Sequence, residues 1–201
     1  MIRATPGASA GGAISFSITL AAERKKLRAL PVLALLALAM LAPVPALAAD
    51  DDLEYRVKTG FLFNFARFVT WPPGKFATPN SPIDLCILAS DAFGRVLADI
   101  TKNKLVNGRP IRVTRVFYAA DAQRCHIAYF EDAAAAAANL AAVAGHQVLT
   151  VYEQESAQAG GVIRFYIDGQ RVRFEINQTA AERETLQIRS KLLDLARVVY
   201  Q

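Results

Sequence analysis

The sequence predicts an α/β fold, a three-layer sandwich with a mostly parallel central sheet and an antiparallel hairpin at its edge. Three observations lead there. Short apolar runs of strand length alternate with helical stretches through the middle of the chain, the pattern of parallel strands with crossover helices. A late Asp-Gly dipeptide sits between two alternating runs, a strong short-range hairpin signal. No internal repeat or linker interrupts residues 49–201, so one domain is the simplest organisation.

The elements follow in order. Leu53 to Val69 reads as a helix, with Val57, Phe61, Phe65 and Phe68 on one face and Leu62, Ala66 and Val69 beside them. Tyr55 and Phe63 lie off that stripe, so the helix is apolar over most of its circumference, as in helices buried on two sides or against a partner. Trp71-Pro72-Pro73-Gly74 ends it, because a proline disfavours helical conformation in the residue before it. Ile83 to Leu88 is a strand, followed by a helix over Phe93 to Ile100. Pro110 to Val116 alternates apolar and polar as an edge strand does, and Cys125 to Phe130 is a buried-type strand. The alanine run 133–138, with Leu140 and Val143, is helical, since alanine has the best intrinsic propensity. Gln147 to Val151 is a strand. Val162 to Ile167 and Arg171 to Ile176 then form the hairpin about Asp168-Gly169, with Val172, Phe174 and Ile176 on one side and Arg171, Arg173 and Glu175 on the other. A helix from Thr179 to Tyr200 closes the chain, with Leu192, Leu195, Ala196 and Val199 as its stripe.

Ahead of this domain, the basic cluster of residues 23–28 precedes an apolar run from Ala29 to Leu41. Pro43, Pro45 and the small-residue sequence Ala46-Leu47-Ala48 come next. That is the layout of a secretory signal peptide over residues 1–48, cleaved near Ala48; the apolar core is shorter than the roughly 20 residues a membrane span needs. The weakly charged preface of residues 1–22 suggests a true start nearer the basic cluster. The division matters for charge. The whole chain has 23 Lys+Arg and 18 Asp+Glu, a net charge of +5 over 201 residues. Five of the basic residues and one acidic residue fall in the leader, leaving 18 and 17, or +1 over 153 residues. Nucleic acid is therefore not an expected partner, and the expected compartment is the periplasm.

Catalytic and cofactor motifs are missing: no G-x-G-x-x-G, P-loop or G-x-S-x-G occurs, so neither an enzyme nor a cofactor is expected. Cys86, Cys125, His126 and His146 lack the close spacing of a metal site, and none is predicted. His126 reads as a core or strand-end residue. Glu131/Asp132 and Glu153/Glu155 follow predicted strands and could line a site at the carboxyl ends of a parallel sheet, or be loop residues. Arg164, Arg171 and Arg173 form a basic hairpin face, solvated or open to an acidic partner. Cys86 and Cys125 are the expected disulfide in an oxidising compartment, the alternative being two free, buried thiols.

With these residues in view, the chain resembles the YfiR family. The resemblance rests on EYRVKTGFLFNFARFVTWP (54–72), DLCILASDAFG (84–94), GRPIRV (108–113), CHIAYF (125–130) and VLTVYE (148–153), and closes with GGVIRFYIDGQRVRFEIN (160–177) and IRSKLLDLARVV (188–199). It implies a periplasmic repressor that binds the periplasmic sensory domain of an inner-membrane diguanylate cyclase and so restrains cyclic di-GMP synthesis and biofilm formation. It also implies sequestration by an outer-membrane peptidoglycan-binding lipoprotein. A homodimer is a further expectation, from the apolar circumference of the first helix. The chain departs from the pattern in lacking a second cysteine pair and in carrying Arg189 where a serine is often found. Tyr55, Phe61, Phe63 and Trp71, with Arg164, Arg171 and Arg173, are the candidate interface. The second reading is a periplasmic small-ligand-binding module lined by Phe117, Tyr118, Tyr129 and Tyr152.

Overall fold

A computed structural model describes residues 48–153 and 160–200, with side chains from residue 52. The predicted leader up to Leu47, and Glu155, lie outside the described residues. Along the chain run α1 (Ala48–Phe68), β1 (Val69–Thr70), a 3₁₀ turn at Pro73–Lys75, β2 (Ile83–Leu88), α2 (Asp91–Thr101), β3 (Leu105–Val106) and β4 (Arg109–Arg115). A second 3₁₀ turn at Ala119–Arg124 precedes β5 (Ile127–Phe130), α3 (Ala136–Val143), β6 (Leu149–Glu153), β7 (Ile163–Asp168) and β8 (Arg171–Asn177). The remainder is α4 (Gln178–Arg183), β9 (Gln187–Ile188), α5 (Ser190–Leu193) and β10 (Val198–Tyr200).

The main sheet has the order β10-β8-β7-β6-β5-β2-β4-β3, and β1 pairs with β9 in a separate two-stranded ribbon. Pairing is parallel from β4 through β2, β5 and β6 to β7, and again between β8 and β10. Only β7·β8 and β3·β4 within this sheet are antiparallel. The predicted α/β class with an antiparallel hairpin is therefore the observed one. Strands β5 and β6 are buried along nearly their whole length, as expected where helices cover both faces.

The two faces carry separate cores. On one, Leu62, Phe65, Ala66 and Val69 of α1 and Phe93 and Leu97 of α2 pack on Ile127, Tyr129, Phe165, Phe174 and Ile176. On the other, Ala136, Leu140 and Val143 of α3 meet Ala119, Ala122, Val148 and Tyr152 around the Cys86–Cys125 disulfide. That bond joins β2 to the residue pair ahead of the adjacent β5, with Cα atoms 6.0 Å apart, within the usual span for a disulfide.

Three local expectations change. The buried face of α1 is turned from the predicted stripe: Val57 is exposed while Lys58 and Thr59 are buried. The hairpin turn falls one residue later, at Gly169-Gln170, because Asp168 pairs with Arg171; Gly169 takes a φ of +64° at the first loop position, as a type II′ connection requires. The inward side of Phe174 and Ile176 is unaffected.

The predicted closing helix from Thr179 to Tyr200 is instead α4, β9, α5 and β10. Thr185 has a φ of +55°, which ends α4, and Leu186 folds back to donate its N–H to the Ala181 carbonyl at 2.9 Å. Arg189 N–H then donates to the Phe68 carbonyl and Arg197 N–H to the Phe174 carbonyl, so distant strands supply the partners a helix would have supplied locally. Leu195, in the expected apolar stripe, is exposed. Long-range pairing here overrides a helical propensity that is only a weak prior.

Candidate functional site at the carboxyl end of the sheet

Open α/β sheets bind ligands beyond the carboxyl ends of their parallel strands, and here that end holds a polar network. Lys58, on the buried face of α1, has only 2% of its surface exposed. Its ammonium sits 2.7 Å from the Glu153 carboxylate at the end of β6 and also bonds Glu54, one helical turn back. The Tyr129 hydroxyl donates to Glu153; burial first, and the Glu153 charge next, push that phenol well above its ordinary range. Beside it, Ser90 at the start of α2 donates its N–H to Glu131 at 2.6 Å, and the Ser90 and Tyr55 hydroxyls are 3.4 Å apart. A buried ammonium is tolerated only when paired, so Lys58 pins α1 to the ends of β5 and β6.

Next to this network, α1 and the tip of the β7–β8 hairpin enclose a groove of about 540 Å³. Leu53, Glu54 and Val57 form its helical wall; Ile167, Val172, Arg171 and Arg173 are on the other side. Leu53 is 63% exposed and Ile167 50%, so an apolar lining lies open beside two arginines. Arg173 Nε is buried without a hydrogen-bond partner among the described residues.

The sequence-derived interface residues are thus dispersed. Arg171 and Arg173 come together with the first turns of α1. Arg164 does not join them. It is 8% exposed and directed at Glu175, its cross-strand partner, with Nη2 and Nε 2.5 and 3.0 Å from Oε2; Tyr200 donates to the same oxygen at 3.1 Å. The solvated basic face is corrected to that extent: at Arg164 and Glu175 it is a buried ion pair, because β10 and the loop before β7 cover this end of the hairpin. Trp71 is buried, its indole N–H donating to the His126 carbonyl at 2.9 Å. Phe61 packs on Phe65, Phe165 and Phe174. Tyr55 lies edge-on to Phe93, and Phe63 is half-buried with the Lys104 ammonium 5.1 Å above its ring.

His126 is the strand-end residue its apolar context suggested. Its Nδ1 accepts from the Asp84 N–H at 3.0 Å while Phe76 stacks on the ring, and burial lowers its pKa to about 4. The aromatics of the ligand-binding reading do not converge: Tyr129 and Tyr152 are buried, whereas Phe117 and Tyr118 are over 70% exposed, at 72% and 74%. No cluster of three possible metal ligands occurs among the described residues, and none of the described helices is long and apolar enough to cross a membrane.

Sequence reasoning missed Lys58, Leu53 and Ile167. The Glu54–Lys58 spacing of four is a helical ion-pair signal, but only the sheet behind it reveals Glu153 as the second partner.

The sequence profile of the YfiR/HmsC-like family matches residues 55–197. The chain belongs to that family. The match takes in α1 from Tyr55 and every element after it through α5, and with them the polar network from Tyr55 onward and both arginines of the hairpin tip. YfiR/HmsC-like proteins are periplasmic regulators of diguanylate cyclase signalling rather than enzymes. Among solved structures, a conserved domain protein from Vibrio cholerae O1 biovar El Tor is similar at 12% identity, TM-score 0.46, over 72% of this chain and 60% of that one. The ABC domain of a Streptococcus pneumoniae protein, solved in complex with L-Trp, is similar at 12% identity, TM-score 0.39, over 60% and 55%. The chain therefore spans 60% or less of the length of these two structures. No curated protein matches its sequence.

Proposed function

We propose that this chain is an exported repressor that binds the periplasmic sensory domain of an inner-membrane diguanylate cyclase and holds the enzyme in its inactive state. The observation that carries the reading is the family match over residues 55–197. The leader-like residues 1–48 and the Cys86–Cys125 disulfide agree with an oxidising compartment. The accessible part of the predicted interface, Arg171 and Arg173 beside Leu53 and Val57, offers an apolar contact with a basic rim. Buried anchors ringed by polar groups carry most binding energy in protein interfaces.

The mechanism needs only differential binding. A cyclase with two states shifts toward whichever one the repressor binds more tightly, and a preference of about 100-fold, near 3 kcal/mol, moves a balanced equilibrium almost completely. A peptidoglycan-binding lipoprotein that competes for the repressor would reverse the shift. Deleting the gene in its native cell should raise cyclic di-GMP at least several-fold, measured by mass spectrometry of nucleotide extracts, with restoration on complementation. Unchanged levels in cells that express the cyclase would overturn the reading.

A further inference from the structure

The edge of the sheet opposite the hairpin is formed by β4 and the short β3. Strand β4 has β2 on its inner side, and the two-residue β3 pairs only with Arg109 and Pro110 on its outer side. Beyond Pro110 no described strand covers that edge. The register shows which backbone groups are left. Val116 N–H donates to the Ile87 carbonyl, so by strand alternation Arg112 and Thr114 also turn their N–H and C=O groups toward β2. Ile111, Val113 and Arg115 turn theirs outward. A ladder of three residues, about 16 Å from end to end, is thereby left without a strand partner.

This edge is not flush with solvent. The end of α2 and the turn after it stand beside it, forming a shallow, open groove of about 680 Å³. Ile111 and Val113 supply its apolar lining, Leu105 lies at one end 63% exposed, and Lys102 and Lys104 stand on the helical side. Asp99 is the one carboxylate among the lining residues. A helix flanking an open strand edge is the geometry in which an extended peptide adds to a sheet: main-chain bonds supply affinity, and alternate side chains drop into the groove.

We infer that the α2–β4 groove receives an extended, acidic segment of a partner protein, which pairs with Ile111, Val113 and Arg115 as an additional strand. The two lysines select its charge, and the apolar lining takes every second side chain. Natural edge strands left open this way are usually guarded by prolines or charges; Pro110 is such a guard, whereas Arg112 and Arg115 are paired with Asp84 and Asp91 and Arg109 donates to the Thr78 and Ser81 carbonyls, so the acidic preference rests on Lys102 and Lys104. The inference extends the proposed function, since it supposes a protein partner, but it concerns a surface remote in the sheet order from the hairpin-tip groove.

The test uses the purified protein and two fluorescein-labelled octapeptides, Val-Glu-Val-Thr-Val-Glu-Val-Thr and its counterpart with lysine for glutamate, read by fluorescence anisotropy. The acidic peptide should bind saturably and the basic one should not. Val113→Pro removes an outward N–H that the sheet does not use, and proline is tolerated at sheet edges; it should weaken acidic-peptide binding roughly tenfold, the scale of one or two lost hydrogen bonds, without lowering the melting temperature by more than a few degrees. The double variant Lys102→Glu, Lys104→Glu should invert the charge preference, and it decides the matter if Val113→Pro fails to fold. Equal binding by these variants, or no binding of the acidic peptide, overturns the inference. So does a doubled mass in sedimentation that Val113→Pro abolishes, because the edge would then pair with a second copy. Peptide binding is read on pure protein and cyclic di-GMP in cells, so failure of one is distinguishable from failure of the other.

Discussion

The two faces of the sheet are built from different materials. Beneath α1 and α2 the core is aromatic: Phe65, Phe93, Tyr129, Phe165 and Phe174 all have 2% or less of their surface exposed and meet in stacked or edge-on pairs. Beneath α3 and the 3₁₀ turn at Ala119–Arg124 the core is mostly alanine and valine, with Leu140, Phe130 and Tyr152 as the larger members. An alanine removes little apolar surface from water, whereas a phenylalanine buries enough for a few kcal/mol. The disulfide lies on the poorer face. Closing a sequence separation of 39 residues stabilises by about 4 kcal/mol on the chain-entropy model, of the order of one large aromatic side chain. A covalent cross-link thus compensates for a face with few large side chains, which works only where the cysteines oxidise.

That contrast can be broken from either side. The largest effect is expected on the aromatic face: Phe65→Ala should cost about 3–5 kcal/mol in urea denaturation, because Phe65 touches rings from α1, β7 and β8 and its loss leaves a cavity that rigid neighbours cannot fill. On the other face, Cys86→Ala with Cys125→Ala should cost about 2–4 kcal/mol, and dithiothreitol should lower the melting temperature of the parent protein by a similar equivalent while leaving that of the double variant unchanged. A double variant as stable as the parent would mean that the alanine face holds without its cross-link. The smallest effect tests how tightly that face is packed. Gly161 faces Tyr152 so closely that an added Cβ would lie 2.6 Å from its ring and 2.7 Å from Leu140, so Gly161→Ala should cost about 1–3 kcal/mol by overpacking. No change there would show that the small-residue face has slack which the aromatic face lacks.

The middle strands and the hairpin were legible because their patterns are local. Ile83 to Leu88 is bounded as predicted, and the alternation in residues 171–176 correctly sends Phe174 and Ile176 into the apolar core and Glu175, buried as well, to Arg164 instead. The C-terminal segment was not legible. Its apolar residues are spaced like a helix, yet Val198–Tyr200 pairs with β8 and Ile188 with Val69, partners 23 or more residues away in sequence that no periodicity encodes. The site was legible in part for the same reason. Arg171 and Arg173 could be assigned to one face by alternation, but Arg164 opposite Glu175 required the register, and moving the turn by one residue to Gly169-Gln170 shifts every cross-strand partner by two. Lys58 carried no signal for burial in the sequence, because its partner Glu153, itself held by Tyr129, lies 95 residues away.

The burial of Trp71 gives the molecule a spectroscopic signature. It is the chain's single tryptophan, held at 5% exposure between α1 and the start of β5, with its indole nitrogen engaged by the His126 carbonyl. Emission excited at the indole edge therefore comes from one site, at the opposite end of the sheet from the polar network and bonded to the residue that follows the cross-linked Cys125. Intensity and wavelength report directly on whether α1 is seated on the strands, with no label and no second fluorophore of the same kind to subtract.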